Sequence, residues 1–98
     1  DHFRQIDVLY EIAFLCMDLE RFQQAKLARG FLSQYRKHFR CFEVRADEDL
    51  FIYFKCLRAN IRAKVHALSV KQADTPTEST FHVRELKGYL LLMKRYMS

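Results

Sequence analysis

The chain has 98 residues, half of them hydrophobic, and it carries a formal net charge of +5. Because it contains only two glycines and one proline, its composition disfavours strands joined by tight turns and favours long helices. No apolar run reaches the ~20 residues that cross a bilayer, and no signal-peptide pattern opens the chain, so we expect a soluble, cytoplasmic, all-α protein with no membrane partner.

The first predicted helix covers residues 7–21 and is apolar nearly all round. The carboxylate of Asp7 can accept hydrogen bonds from the free amides of a first turn and meets the positive end of the helix dipole, so Asp7 is the predicted N-cap. A helix that is apolar on every side is typically enclosed by others. We therefore expect a small bundle of about four helices in which helix 7–21 is central.

The second predicted helix covers residues 24–38 and has a single apolar face. Gly30 weakens this helix by about 1 kcal/mol relative to alanine, and we expect it to mark a close helix contact. Residues 41–49 form the predicted connection to the third helix. Asp47 is the predicted cap of that helix, because an acidic residue is favoured where the dipole is positive.

The third predicted helix covers residues 48–70 and combines an apolar stripe with a basic flank. The stripe, which we expect to face the core, is formed by Leu50, Phe54, Leu57, Ile61, Val65 and Leu68. The flank carries Lys55, Arg58, Arg62 and His66. We expect it to be the solvated side of the helix. The alternative is a surface that grips phosphate or an acidic segment, for which arginine is better suited than lysine.

The fourth predicted helix covers residues 76–96 and has the clearest start signal. Thr75, Pro76 and Glu78 fit a capping box, with threonine as N-cap, proline at the first helical position and glutamate at the third. No repeat and no linker long enough to divide domains is present. We therefore expect one helical domain over residues 1–98. Its start at Asp1 instead of a methionine suggests a segment of a longer protein.

The residues that could carry chemistry are scattered. His38 and Cys41 have ligand spacing, but no second pair completes a metal site, and His2, His66 and His82 are isolated. No glycine-flanked nucleophile and no phosphate-cradling loop occurs. We expect no catalytic, cofactor-binding or metal-binding residue in this chain.

The three cysteines are odd in number and too far apart for a CxxC pair. Two of them, Cys16 and Cys56, lie in apolar helical surroundings. We expect reduced thiols and no disulfide.

The positive charge is concentrated in the second half of the chain. Residues 1–52 carry 8 basic and 9 acidic groups, whereas residues 53–98 carry 9 basic and 3 acidic groups. Such a surface permits an acidic partner. One functional hypothesis is therefore an autonomous basic helical module that binds an acidic protein or nucleic acid through helices three and four, with nucleic acid the less favoured partner.

A different hypothesis comes from a resemblance. The segment IDVLYEIAFLCMDLE is similar to the helix that follows the catalytic and metal-binding motifs in aminoglycoside-phosphotransferase-like small-molecule kinases. The kinase subgroup has approximately the pattern D-V-x-x-[DE]-[LIV]-A-F-L-x-M-D-L. This pattern is matched by Asp7, Glu11, Ala13, Phe14, Leu15, Met17, Asp18 and Leu19.

Two further motifs of the same subgroup follow in order. The pattern A-x-x-F-L-x-x-Y is matched by Ala28, Phe31, Leu32 and Tyr35. The pattern Y-R-A-x-[VI]-R-A-K-V resembles LRANIRAKV, residues 57–65, in which Leu57 replaces the tyrosine. Three helical motifs in the correct order extend the resemblance over most of the chain.

The resemblance implies a noncatalytic helical subdomain of a kinase-like C-terminal lobe, which supports the catalytic loop and shapes the acceptor-substrate side. In such kinases the nucleotide lobe, the catalytic H-G-D segment and the magnesium-binding acid all precede this region, and none of them occurs in these residues. ATP and magnesium would therefore belong to the parent protein. The isolated chain is expected to have no phosphotransferase activity.

The resemblance also implies roles for three residues. Asp7 would hold the catalytic loop from beneath, an alternative to a role as a cap. Arg58 and Arg62 would face the substrate side or other parts of the parent. The expected partner is the remainder of the parent kinase. Apolar surface left uncovered in its absence would favour self-association.

Overall fold

The computed structural model describes the backbone of residues 2–38 and 45–98 and the side chains of residues 6–37 and 46–98. Four α-helices occupy nearly all of this part of the chain: α1 His2–Arg21, α2 Ala25–His38, α3 Arg45–Gln72 and α4 Pro76–Tyr96. None of the described residues lies in a strand. The predicted all-α bundle of four helices is confirmed.

The chain divides into two compact units. The first unit comprises residues 1–55 and the second comprises residues 56–98, and α3 contributes to both. The single-domain organisation stays a prediction.

Helix α1 begins earlier than the sequence predicts. It starts at His2, so Asp7 lies within the helix and the prediction that it is the N-cap is wrong. Residues 2–6 contain neither proline nor glycine. Because each further residue of a nucleated helix adds a backbone hydrogen bond, nothing in that segment stops the helix at Asp7.

The core of the first unit comes mainly from α1. Leu9, Ile12, Ala13 and Cys16 of α1 pack with Ala28 of α2 and Phe51 of α3. This agrees with the apolar composition of α1. The helix nevertheless has an outer side, because Leu15 is exposed.

The chain leaves α1 through a Schellman-type turn. The amide of Gln24 donates to the carbonyl of Leu19 at 2.7 Å, and the amide of Gln23 donates to the carbonyl of Glu20 at 3.2 Å. Gln23 has a φ of 62°, the left-handed conformation that this turn requires. A side chain with a Cβ is strained there, which makes glycine the preferred residue.

Replacing Gln23 by glycine is therefore expected to raise the free energy of unfolding by about 0.5 to 1 kcal/mol. Urea denaturation followed by circular dichroism measures the change. Gln23→Ala is the matched control, because alanine removes the rest of the side chain but keeps the Cβ and therefore the strain at a φ of 62°. Equal effects of the two substitutions would show that strain at residue 23 is not relieved.

Two predictions about the middle of the chain are wrong. An added Cβ at Gly30 would meet nothing within 4 Å, so Gly30 does not mark a close helix contact among the described residues. Asp47 is not a cap, because α3 already begins at Arg45. Asp47 and Glu48 lie in its first turn, where their charges still complement the helix dipole. Of the predicted connection, residues 41–44 lie outside the described part.

The second unit is a pair of helices joined by the turn before Pro76. Its buried residues are Ala59, Ala63 and His66 of α3 and Tyr89 and Leu92 of α4. Tyr89, which is fully buried, is the largest side chain in this core.

In this unit, the predicted apolar stripe of α3 lies on the exposed side of the helix and not in the core. Ile61, Val65 and Leu68 are all exposed. At 3.6 residues per turn they lie on the side of the helix opposite Ala59 and Ala63. The prediction failed because it weighted large aliphatic residues over alanine, whereas the packing selects the small residues.

The start of α4 agrees with the sequence. Thr75 is the N-cap, and its Oγ1 accepts a hydrogen bond from the Glu78 amide at 3.1 Å. The Glu78 carboxylate accepts from the Asp74 amide at 3.2 Å, one residue before the position of a standard capping box. The helix ends at Tyr96, as predicted.

Candidate functional site

Asp7 lies on α1 and is exposed, whereas Ala13, six residues later on the same helix, is buried. Because Asp7 lies inside the helix, it has no capping role that would account for it. Arg58 and Arg62 belong to the second unit and lie one helical turn apart on α3.

The basic flank of α3 is not the solvated side that the sequence predicts. Lys55 is half-buried, and its Nζ donates to both carboxylate oxygens of Glu20, at 3.2 and 3.1 Å. The same Nζ lies 5.1 Å from the ring centroid of Phe51. The first residue of the flank is therefore held in an ion pair of the first unit.

The rest of the flank also packs inward. Arg58 and Arg62 are half-buried, and His66 is buried. The Cζ of Arg62 lies 5.8 Å from the ring centroid of Tyr89, within the range of a cation–π interaction. Arg62 thus stabilises the position of the buried tyrosine.

Two histidines that appear isolated in the sequence meet in the second unit. The Nδ1 atoms of His66 and His82 lie 2.9 Å apart, a hydrogen-bonding distance. The ring of His66 stacks on Tyr89 with centroids 5.7 Å apart and an angle of 16°. Phe81 approaches both imidazoles edge-on, with centroids 6.2 Å from His66 and 5.1 Å from His82.

Sequence reasoning missed this pair, although a signal exists. His66 precedes Asp74 by eight residues, and His82 follows it by eight. Asp74 lies in the turn between α3 and α4. When two helices form a hairpin, residues equally distant from the turn lie opposite each other, so this symmetry predicts the contact.

The buried thiol of Cys16 is unsuited to nucleophilic chemistry. Cys16 and Cys56 are free thiols, and Cys41 lies outside the described residues. Burial, followed by the nearby charge of Glu20, raises the pKa of Cys16 to about 11, against a smaller opposing effect of Lys55. The Cys16 thiol therefore stays protonated at neutral pH, and only the thiolate is reactive.

The described part of the chain contains neither a cluster of metal ligands nor a membrane-spanning helix. Within it, no three histidine, cysteine or acidic side chains are placed to hold a metal ion. The His38 side chain and Cys41 lie outside that part. None of the described helices combines the length and the apolar character needed to cross a bilayer.

Two open cavities lie on the surface of the separate units. One of about 570 Å³ lies along α2 and includes Leu27, Gly30 and Phe31 in its lining. The other, of about 430 Å³, lies at the start of α4 beside Phe81 and Arg84. Both cavities are shallow surface depressions, and neither is lined by a set of catalytic groups.

Comparison with known proteins adds no relative. No family model matches the chain, and no curated protein or solved structure shows significant similarity to it.

The kinase-like motifs coincide with the packing of the helices. Six of their positions are buried: Ile12, Ala13, Met17, Ala28, Ala59 and Ala63. They lie on α1, α2 and α3, so each motif contributes to a core. What the three motifs share is a pattern of buried, mostly small residues on consecutive helices.

Proposed function

We propose that this chain is the noncatalytic helical subdomain of an aminoglycoside-phosphotransferase-like kinase, in which it supports the catalytic loop and shapes the acceptor-substrate side. The observation that carries the proposal is the burial of motif residues on three consecutive helices. When the residues of a motif are buried in a core, the motif preserves the packing of its helices and so the shape of a scaffold. That is the role the resemblance assigns to this region.

Motif residues that lie on the protein surface also support the proposal. Leu15, Phe31, Ile61 and Val65 match the kinase-like patterns and yet are exposed. Large apolar side chains on a surface are typical of sites where another part of a protein packs. In the proposed parent, the preceding lobe covers some of them.

The cheapest test is the reading frame upstream of the codon for Asp1. The proposal expects an H-G-D segment followed by a hydrophobic segment with an acid within some tens of residues. A start codon immediately upstream, or a domain of another kind, would overturn it. The complete protein would then be assayed for phosphate transfer from ATP to hydroxyl-bearing and amine-bearing small molecules.

A sharper prediction concerns Asp7. In the complete protein, Asp7→Asn is expected to lower kcat by about tenfold to a hundredfold, the scale on which loss of a supporting hydrogen bond displaces a catalytic group. Because Asp7 is exposed and caps nothing, the unfolding free energy should change by less than about 0.5 kcal/mol. Steady-state kinetics and urea denaturation measure the two quantities.

Asp49→Asn is the matched control for this experiment. Asp49 is also exposed and helical and lies in the same unit, but it matches no kinase-like motif. Its substitution removes the same charge and should leave kcat unchanged. If both variants had the same kcat, the proposed role of Asp7 in supporting the catalytic loop would be wrong. Arg58 and Arg62 stay substrate-side candidates, with Arg62 also packing on Tyr89.

A second candidate function is favoured by one observation. Arg84, Lys87 and Arg95 of α4 are exposed and lie on one side of that helix. An autonomous module would use them to bind an acidic protein, whereas the flank of α3 packs inward. Binding of an acidic peptide by the 98-residue chain, lost on Arg84→Glu with Lys87→Glu, would support this function over the kinase proposal.

A further inference from the structure

The His66–His82 contact joins α3 to α4 inside the second unit and is used by neither proposed function. His66 is 6% exposed and His82 is half-buried. Aromatic side chains contact both rings, the half-exposed Phe81 against each of them and the buried Tyr89 against His66. The contact therefore joins a core histidine to a half-buried one.

The identity of the touching atoms fixes where the protons lie. Each neutral imidazole carries one proton, on Nδ1 or on Nε2. Because Nδ1 faces Nδ1 at 2.9 Å, one ring must donate from Nδ1 while the other accepts at Nδ1. The accepting ring must then carry its own proton on Nε2.

The same geometry limits the number of protons that the pair can hold. With one ring protonated, the imidazolium donates from Nδ1 and the neutral ring still accepts. With both rings protonated, each Nδ1 carries a hydrogen, so neither can accept and two positive charges meet. The contact cannot survive in that state.

We propose that the His66–His82 pair is a proton-operated latch that holds α3 against α4 while at most one of the two rings is protonated, and releases when both are. Imidazole is the side chain whose ordinary charge change lies between about pH 5 and pH 8, so a pH series that starts above this range and runs downward tests the latch. The proposal rests on the hydrogen-bond geometry and is independent of any kinase-like role.

The charged neighbours in the second unit favour release. On α3, Arg62 lies one turn before His66 and already places a positive charge over Tyr89. On α4, Glu78 and Glu85 lie near His82 in helical register, but the Glu78 carboxylate accepts from the Asp74 amide. Glu85 can offset one imidazolium, whereas the doubly protonated pair carries two.

Release would affect the core of the unit, because His66 stacks on the fully buried Tyr89. Separation of the two imidazoles removes one hydrogen bond and opens one wall of the Tyr89 site. The expected result in acid is a looser α3–α4 pair with greater exposure of Tyr89, while the first unit keeps its helices.

The first experiment reads the protons directly. Long-range ¹H–¹⁵N correlation spectra of the 98-residue chain at about pH 7.5 distinguish the Nδ1–H and Nε2–H forms of each ring. The latch requires one of His66 and His82 to be in the Nδ1–H form and the other in the Nε2–H form. Two Nε2–H rings would overturn the proposal, because no hydrogen could then lie between the Nδ1 atoms.

The second experiment measures release by amide hydrogen exchange in α4, corrected for the intrinsic effect of pH on exchange. Between about pH 7.5 and pH 5, protection around His82 should fall roughly threefold to tenfold, the equilibrium equivalent of one lost hydrogen bond. His82→Gln should abolish this fall, because its amide can still accept from His66 Nδ1 and does not titrate.

The matched control is His2→Gln with His38→Gln, which removes the same kind of titrating group from the first unit. This variant should behave as the wild type does in α4. A fall in protection that persists in His82→Gln, or one that the control abolishes, would overturn the latch. Should His82→Gln fail to fold, the tautomers of the wild-type rings still decide the question.

Discussion

Replacing Leu9 by alanine is expected to lower the free energy of unfolding by about 2 to 5 kcal/mol. Leu9 is 1% exposed and lies in the core that α1 forms with Ala28 and Phe51. The substitution removes buried methyl groups and leaves a cavity that a packed core fills only in part. Urea denaturation followed by far-ultraviolet circular dichroism measures the loss.

Leu15→Ala is the matched control, since it makes the same chemical change on the same helix at a residue that is 37% exposed. Its cost should stay below about 1.5 kcal/mol, because the Leu15 side chain removes less apolar surface from water on folding than the Leu9 side chain does. A larger loss at Leu15 than at Leu9 would mean that α1 presents its other side to the core.

Replacing Tyr89 by alanine has the second large expected effect, a loss of about 3 to 5 kcal/mol by analogy with other buried aromatic residues. Tyr89 is 1% exposed, stacks on His66 and lies under the guanidinium of Arg62. Its removal leaves a cavity beside His66 and Arg62 that the surrounding packed side chains fill only in part.

Leu90→Ala serves as the comparison, because Leu90 is the next residue and is 49% exposed. It should cost less than about 1 kcal/mol, because substitution of a half-exposed side chain leaves no enclosed cavity. If Tyr89→Ala were tolerated as well as Leu90→Ala, the second unit would not be organised around the tyrosine.

The parts of the fold that the sequence predicts well are those set by local chemistry. Thr75 and Pro76 specify the start of α4 because the hydroxyl, the missing proline amide and the fixed φ all suit the first turn. The helix starts predicted from Asp7 and Asp47 were wrong, and the reason is again the local chemistry of the residue. An aspartate is favourable both as a cap and within the first turn or on an exposed helix surface, so its presence does not fix the first residue of a helix.

The buried face of α3 could not be predicted because it depends on the shape of its partner. Ala59 and Ala63 carry little hydrophobic weight, whereas Ile61 and Val65 opposite them carry much. On a buried face, however, small side chains allow closer packing and exclude water as well as large ones do. That choice is made by tertiary structure and leaves no trace in the periodicity of one helix.

The candidate site was predictable in part. The exposed position of Asp7 follows from its charge, but the inward packing of Lys55 and Arg62 depends on Glu20 and Tyr89, which are distant in sequence. The same holds for His66 and His82, whose contact requires the hairpin register of two helices.

Helix α3 runs without interruption through the boundary between the two units. Residues 45–55, the part of α3 in the first unit, are fewer than the ~12–15 that an isolated helix needs in water. Within that unit the segment is stabilised by tertiary packing, because Phe51 lies in the core with residues of α1 and α2. A substitution that empties the Phe51 site would therefore weaken the helix backbone of this segment as well as the core.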